Sequence, residues 1–146
     1  NHWYAVLIGK IGLLEGTEQK IINSYDVEKY ALRAIELDPS YDGTYHVMGR
    51  WHYELANLSW FERTIAEWVY ATPPEGGFDK AATFYQKAIN AKPDEIRHHL
   101  WLGKTYIELY ETKKAKSTFE YLLELTPADD SDKSMQREAI ELLNSL

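Results

Sequence analysis

Apolar residues recur every three or four positions along almost the whole chain, and no segment alternates as a half-buried strand would, so the pattern predicts an all-α protein. The first helix is expected from about His2 to Leu14 on a stripe of Trp3, Leu7, Ile11 and Leu14, broken at Glu15-Gly16-Thr17. A longer one follows to Leu37 and ends before Asp38-Pro39, because proline disfavours helical geometry in the residue that precedes it. Further helices are expected near Tyr41 to Ala56, Phe78 to Ala91, Asp94 to Tyr110 and Lys113 to Leu125. The helix at Phe78 shows one continuous face of Phe78, Ala81, Ala82, Tyr85, Ala88 and Ile89. A final helix, about Ser131 to Leu146, sets Met135, Ala139, Leu142, Leu143 and Leu146 against a charged back and reads as a cap.

The elements repeat. Pro39 and Pro93 stand 54 residues apart and Pro93 and Pro127 stand 34 apart, so one period of 34 is interrupted by 20 residues. The longer shift lays Ala34-Ile35 on Ala88-Ile89, Met48-Gly49 on Leu102-Gly103 and Glu54-Leu55 on Glu108-Leu109. With Leu102-Gly103, Tyr106, Ala115, Phe119 and Pro127 at their spacings, this is the signature of a tetratricopeptide helix-turn-helix repeat. The expected fold is a tetratricopeptide-like right-handed stack of antiparallel helix pairs in a single domain, residues 1–146, with about eight helices. Its repeats run at about 2–39, 41–93 and 94–127, with a capping helix at about 131–146. The extra residues, about 57–77, fall inside the middle repeat. There Ser59-Trp60-Phe61-Glu62 forms a capping box that starts an inserted helix with Phe61, Ile65, Trp68 and Val69 on one side. Ala71-Thr72-Pro73-Pro74 stops it and Gly76-Gly77 turns the chain back.

Composition narrows the function. Hydrophobic residues at 45% exclude intrinsic disorder, and no apolar run reaches the roughly 20 residues needed to cross a bilayer. The absence of cysteine removes disulfides, thiolate metal sites and cysteine nucleophiles. A net charge of -7 opposes nonspecific attraction to nucleic acid, anionic membranes or the acidic microtubule surface, so no nucleic-acid partner is expected. The chain begins without Met, at Asn1-His2-Trp3, and reads as a fragment; targeting or anchoring segments would lie outside it.

No catalytic constellation is present: the chain lacks a phosphate-cradling glycine loop, a His-Glu-x-x-His helix and a Gly-x-Ser-x-Gly elbow, and no cofactor is expected. Adjacent His98 and His99 point about 100° apart on a helix and do not converge on a metal, and His46 and His52 lie six apart, also poor chelating geometry. In a tetratricopeptide stack the first helix of each pair lines the concave face. By position this places His46, Arg50 and Tyr53 of the second repeat and Leu100, Lys104 and Ile107 of the third in a ligand groove. Arg50 and Lys104 are equivalent under the 54-residue shift. Two such cations in an acidic chain suit a carboxylate or phosphate; they equally suit ion pairs with nearby acids such as Glu54 or Glu108. Trp51, Trp60 and Trp68 read as core, with an apolar ligand as the alternative. Lys113, Lys114 and Lys116, together with Lys104, form the densest basic cluster, either a solvated turn or a contact patch for an anionic partner surface.

Met48-Gly49-Arg50-Trp51, Leu58-Ser59-Trp60-Phe61-Glu62-Arg63, Ala71-Thr72-Pro73-Pro74 and Leu102-Gly103-Lys104-Thr105-Tyr106 together resemble the regulator of microtubule dynamics protein family over essentially the whole chain. The resemblance implies a non-enzymatic, cytoplasmic helical-repeat adaptor that binds a protein partner through its groove and is linked to microtubules, the spindle and chromosome segregation. It also implies an alternative, a phospholipid-binding or lipid-transfer domain at organelle contact sites. In that reading the inserted helix roofs an apolar tunnel, with Arg50 and Lys104 at its mouth for the headgroup.

Overall fold

The computed structural model describes residues 1–15, 17–58, 62–63 and 74–146, the side chains of 11–22 excepted. Among the described residues there are seven helices longer than one turn and no strand: α1 His2–Glu15, α2 Thr17–Leu37, α3 Asp42–Ala56, α4 Phe78–Ala91, α5 Ile96–Glu108, α6 Thr112–Glu124 and α7 Asp130–Ser145. The capping box and the inserted helix fall outside the described residues, except for Glu62 and Arg63, which are helical.

The fold is an all-α, tetratricopeptide-like stack. Helices adjacent in sequence pack as pairs, α1 on α2, α3 on α4 and α5 on α6, and α7 closes the far end against α5 and α6. The first helices of the three pairs, α1, α3 and α5, also touch in turn, forming one continuous face. Each layer buries its own apolar cluster. Ala5, Val27, Ala31, Met48, Trp51 and Leu55 join α1, α2 and α3. Tyr53, Ala81, Tyr85, Ile89 and Leu102 join α3, α4 and α5, and Ile96, Leu100, Ala115, Phe119, Leu122 and Ala139 join α5, α6 and α7.

The two repeat-equivalent glycines explain how close the helix pairs come. A Cβ at Gly49 would lie 2.6 Å from a ring carbon of Tyr85, and one at Gly103 would lie 2.3 Å from a ring carbon of Phe119. In the α3–α4 and α5–α6 pairs an aromatic ring from the second helix therefore rests on the bare backbone of the first.

Helix ends follow local chemistry. Asp129 caps α7 by accepting the Asp132 amide at 2.9 Å. The third first-helix ends two residues before the expected Tyr110, because Tyr110 takes φ 59°, the left-handed region. Its amide donates to the Ile107 carbonyl and that of Glu111 to the Tyr106 carbonyl, each at 2.9 Å, the paired bonds of a Schellman stop with tyrosine where glycine is the common choice.

Candidate functional site

The face formed by α3 and α5 carries the charged residues singled out above, and they meet on Trp101. The Arg50 guanidinium lies 3.7 Å from the centre of the Trp101 ring and the Lys104 ammonium 4.2 Å from it. Residues 54 apart in sequence thus point to one indole, because stacked repeats bring equivalent helix positions side by side. Neither cation is without an acid. Arg50 pairs with Glu54 one turn on, at 2.7 Å, and Lys104 reaches across to Glu138 of α7, at 2.8 Å. The second partner belongs to the capping helix; Glu108 instead accepts the Tyr53 hydroxyl at 3.3 Å. Tyr53 stands edge-on to Trp101, its centroid 5.3 Å away, and burial followed by the neighbouring Glu108 charge pushes its hydroxyl up to about 12. The result is a ledge of Trp101 and Tyr53 bearing two cations and three carboxylates.

The other groove positions lie deeper. Leu100 is 2% exposed, so it is core and not groove surface: it packs in one cluster with Ala115, Phe119 and Leu122 of α6 and Ala139 of the capping helix α7. Ile107 is half-buried against that same cluster. His46 is buried, its ring centroid 5.3 Å from Tyr85 and 4.9 Å from His98. His52, in the α3–α4 layer, stacks on Phe84 with 19° between the ring planes. Trp51 is core, its indole N–H donating to the Ser24 carbonyl at 2.7 Å, while Trp60 and Trp68 lie outside the described residues, as does most of the insertion expected to roof a tunnel. Lys113 and Lys114 are exposed on α6, Lys116 is half-buried, and Lys114 pairs with Glu111 at 2.6 Å.

A polar chain joins α3 to α5 inside the stack. His98 donates from Nε2 to the Asp42 carboxylate at 2.8 Å, and its Nδ1 lies 2.9 Å from Nδ1 of His46. With His98 neutral its Nδ1 accepts, so His46 must be the donor there, and both tautomers are fixed by Asp42. Burial first, and the nearby Arg97 charge next, hold His46 well below its ordinary range, and burial also lowers His98. Asp42 and Arg97 carried no signal in the sequence, since neither is spaced like a ligand and both act across a layer.

Beside this chain, α1, α2 and α3 enclose a cleft of about 420 Å³, with Arg97 reaching it from the first turn of α5. Its apolar wall includes Val6, Val27, Val47, Trp51 and Leu55; His46, Arg50 and Glu54 supply polar groups. Among the described residues no cluster of three His, Asp or Glu is arranged to hold a metal ion.

The family model for regulator of microtubule dynamics protein 1-3 matches residues 1–146, all of the chain. Regulator of microtubule dynamics protein 1 from Homo sapiens is 35% identical over 144 residues, covering 98% of this chain and 46% of that protein, and the Pongo abelii protein matches to the same extent. Regulator of microtubule dynamics protein 3 from Mus musculus is 27% identical over 141 residues, 96% of this chain and 30% of its own length. The chain thus spans less than half the length of these curated relatives. With a match that runs from its first residue to its last, it belongs to the regulator of microtubule dynamics protein 1-3 family.

Proposed function

We propose that this chain is a non-enzymatic adaptor module of a microtubule regulator, holding an acidic segment of a protein partner on the face shared by α3 and α5. The observation that carries the reading is the meeting of Arg50 and Lys104 on Trp101. A guanidinium and an ammonium on one indole present charge and a flat apolar surface together, which suits a segment with a carboxylate beside an apolar side chain. The existing pairs with Glu54 and Glu138 do not bar such a partner. Both are partly exposed, and pairs of that kind are worth about 0–1 kcal/mol, so an incoming carboxylate exchanges with them at little cost. Selectivity then comes from Trp101 and Tyr53.

Support for a link to microtubules is the family itself, whose members are named for regulating microtubule dynamics. The same names support a microtubule-associated setting, which we read as cytoplasmic, with spindle and chromosome-segregation roles a narrower extension of this reading. Contact with the filament by this chain alone is weak, because a net charge of -7 is repelled by an acidic surface and only Lys113, Lys114 and Lys116 oppose it locally. Cosedimentation with purified microtubules tests this. The chain should pellet at low ionic strength, release as salt approaches physiological levels, and lose the interaction when the three lysines become Gln. Pelleting at physiological salt that is indifferent to those substitutions would move the contact elsewhere and sink this part of the reading.

A further inference from the structure

We propose that the cleft between α1, α2 and α3 is a second binding site, adjoining the Trp101 ledge and sharing Arg50 with it, for a small monocarboxylate with a flat apolar body, its carboxylate held by Arg97 and Arg50. The size is right: about 420 Å³ lies within the range of small-molecule clefts, which are mostly apolar with a few convergent polar groups. Val27, Val47, Trp51 and Leu55 from α2 and α3 supply an apolar wall, and Trp51 is fixed there by its bond to Ser24.

The charge in the cleft is the reverse of the chain's. Among the described residues, Lys10, Arg50 and Arg97 line it against a single carboxylate, Glu54, in a molecule of net charge -7. The arginines also retain unused donors. The Nε atoms of Arg50 and Arg97 are both buried without a hydrogen bond; the second is ion-paired with Glu95 at 3.6 Å, too long for a hydrogen bond. A buried donor without a partner carries a desolvation cost that a ligand oxygen would relieve. The Arg97 charge is felt through this region: after burial it is the next cause holding His2, on α1, and His46, on α3, below their ordinary range. The histidines remain neutral and leave the positive charge to the arginines. A carboxylate offers two oxygens in the geometry a guanidinium matches, whereas an amide of the same shape offers one and no charge.

The test uses 1-naphthaleneacetate and its uncharged twin, 1-naphthaleneacetamide, titrated calorimetrically into the whole chain. The carboxylate should bind about tenfold or more tightly than the amide. Arg97→Gln should reduce carboxylate binding to the amide's level, Arg97→Lys should give an intermediate loss, and Lys104→Gln, on the ledge, should change neither. Acid and amide binding alike, no binding of either, or a loss caused by Lys104→Gln and not by Arg97→Gln would each overturn the proposal. Should Arg97→Gln fail to fold, the comparison of acid with amide in the unaltered chain, with Arg97→Lys, still decides it.

Discussion

Replacing Gly103 by alanine sets two effects of opposite sign against each other. In a helix interior alanine is favoured over glycine by about 1 kcal/mol. At Gly103, however, the new methyl would lie 2.3, 2.6 and 2.8 Å from three ring carbons of Phe119, where carbon atoms rest at about 3.5–4.0 Å. Phe119 is 0% exposed and enclosed by Ile96, Leu100, Ala115, Leu122 and Ala139, so the ring cannot swing away and the helices must part. Overpacking of this kind costs about 1–3 kcal/mol, and three contacts on a confined ring put it at the upper end. The net expectation is a loss of about 2 kcal/mol. Gly9, also inside a helix, is the control. Its added methyl would meet Val27 at 3.7 Å, an ordinary contact, so Gly9→Ala should stabilise by about 0.5–1 kcal/mol. Urea unfolding of the two variants reads the difference directly, with midpoints moving in opposite directions. In a double-mutant cycle, Gly103→Ala and Phe119→Ala together should cost less than their sum, because removing the ring removes the clash. A Gly103→Ala midpoint that rises like that of Gly9→Ala would refute the packing argument.

Acid should weaken the fold from the histidines inward. Burial lowers His46, His98 and His99, and holds His52 at about 4, so the unfolded chain takes up protons below pH ~6.5 that the folded chain refuses. The His52 contribution is complete above that pH and is lost as pH falls towards 4, roughly 3 kcal/mol in all. Unfolding midpoints across this range should fall, and more shallowly in His52→Phe; identical slopes would contradict the assignment. Tyr110→Gly should stabilise by about 0.5–1 kcal/mol, since a fully exposed side chain is lost and a left-handed φ becomes unstrained. A lowered thermal midpoint would count against the Schellman stop.

The layers and their spacing were legible in the sequence because they rest on local periodicity. Phe78–Ala91 was bounded from its apolar face, and the repeat shift that lays Gly49 on Gly103 picked out the two positions on which Tyr85 and Phe119 rest. The end at Tyr110 was missed because tyrosine gives no hint of a left-handed stop. Contacts between layers were harder. Position alone put Leu100 in the groove, yet the residue turns into the α6 side of its helix. Lys104 was given a choice that included Glu108, and it takes Glu138, 34 residues away on the capping helix. Asp42, His98 and His46 form one chain only because α3 and α5 lie side by side, a relation carried by the stack and not by spacing along either helix. Trp101 was legible too, since its place three residues before Lys104, on the same helix face, is a usable sign of stacking.

The most direct test of the ledge is titration of a fluorescein-labelled peptide of about twelve residues, alternating Glu and Leu, into the chain by fluorescence anisotropy. Arg50→Met and Lys104→Met keep much of the apolar stem and remove one charge each. Each should weaken binding about fivefold, the ~1 kcal/mol of a partly exposed ion pair, and the double variant by more than either, while the unfolding midpoint moves little. Trp101→Ala should weaken binding further than either charge removal, because it takes away the surface on which both cations rest. Peptide binding that is unchanged in the Arg50→Met/Lys104→Met double variant, or in Trp101→Ala, would contradict the account.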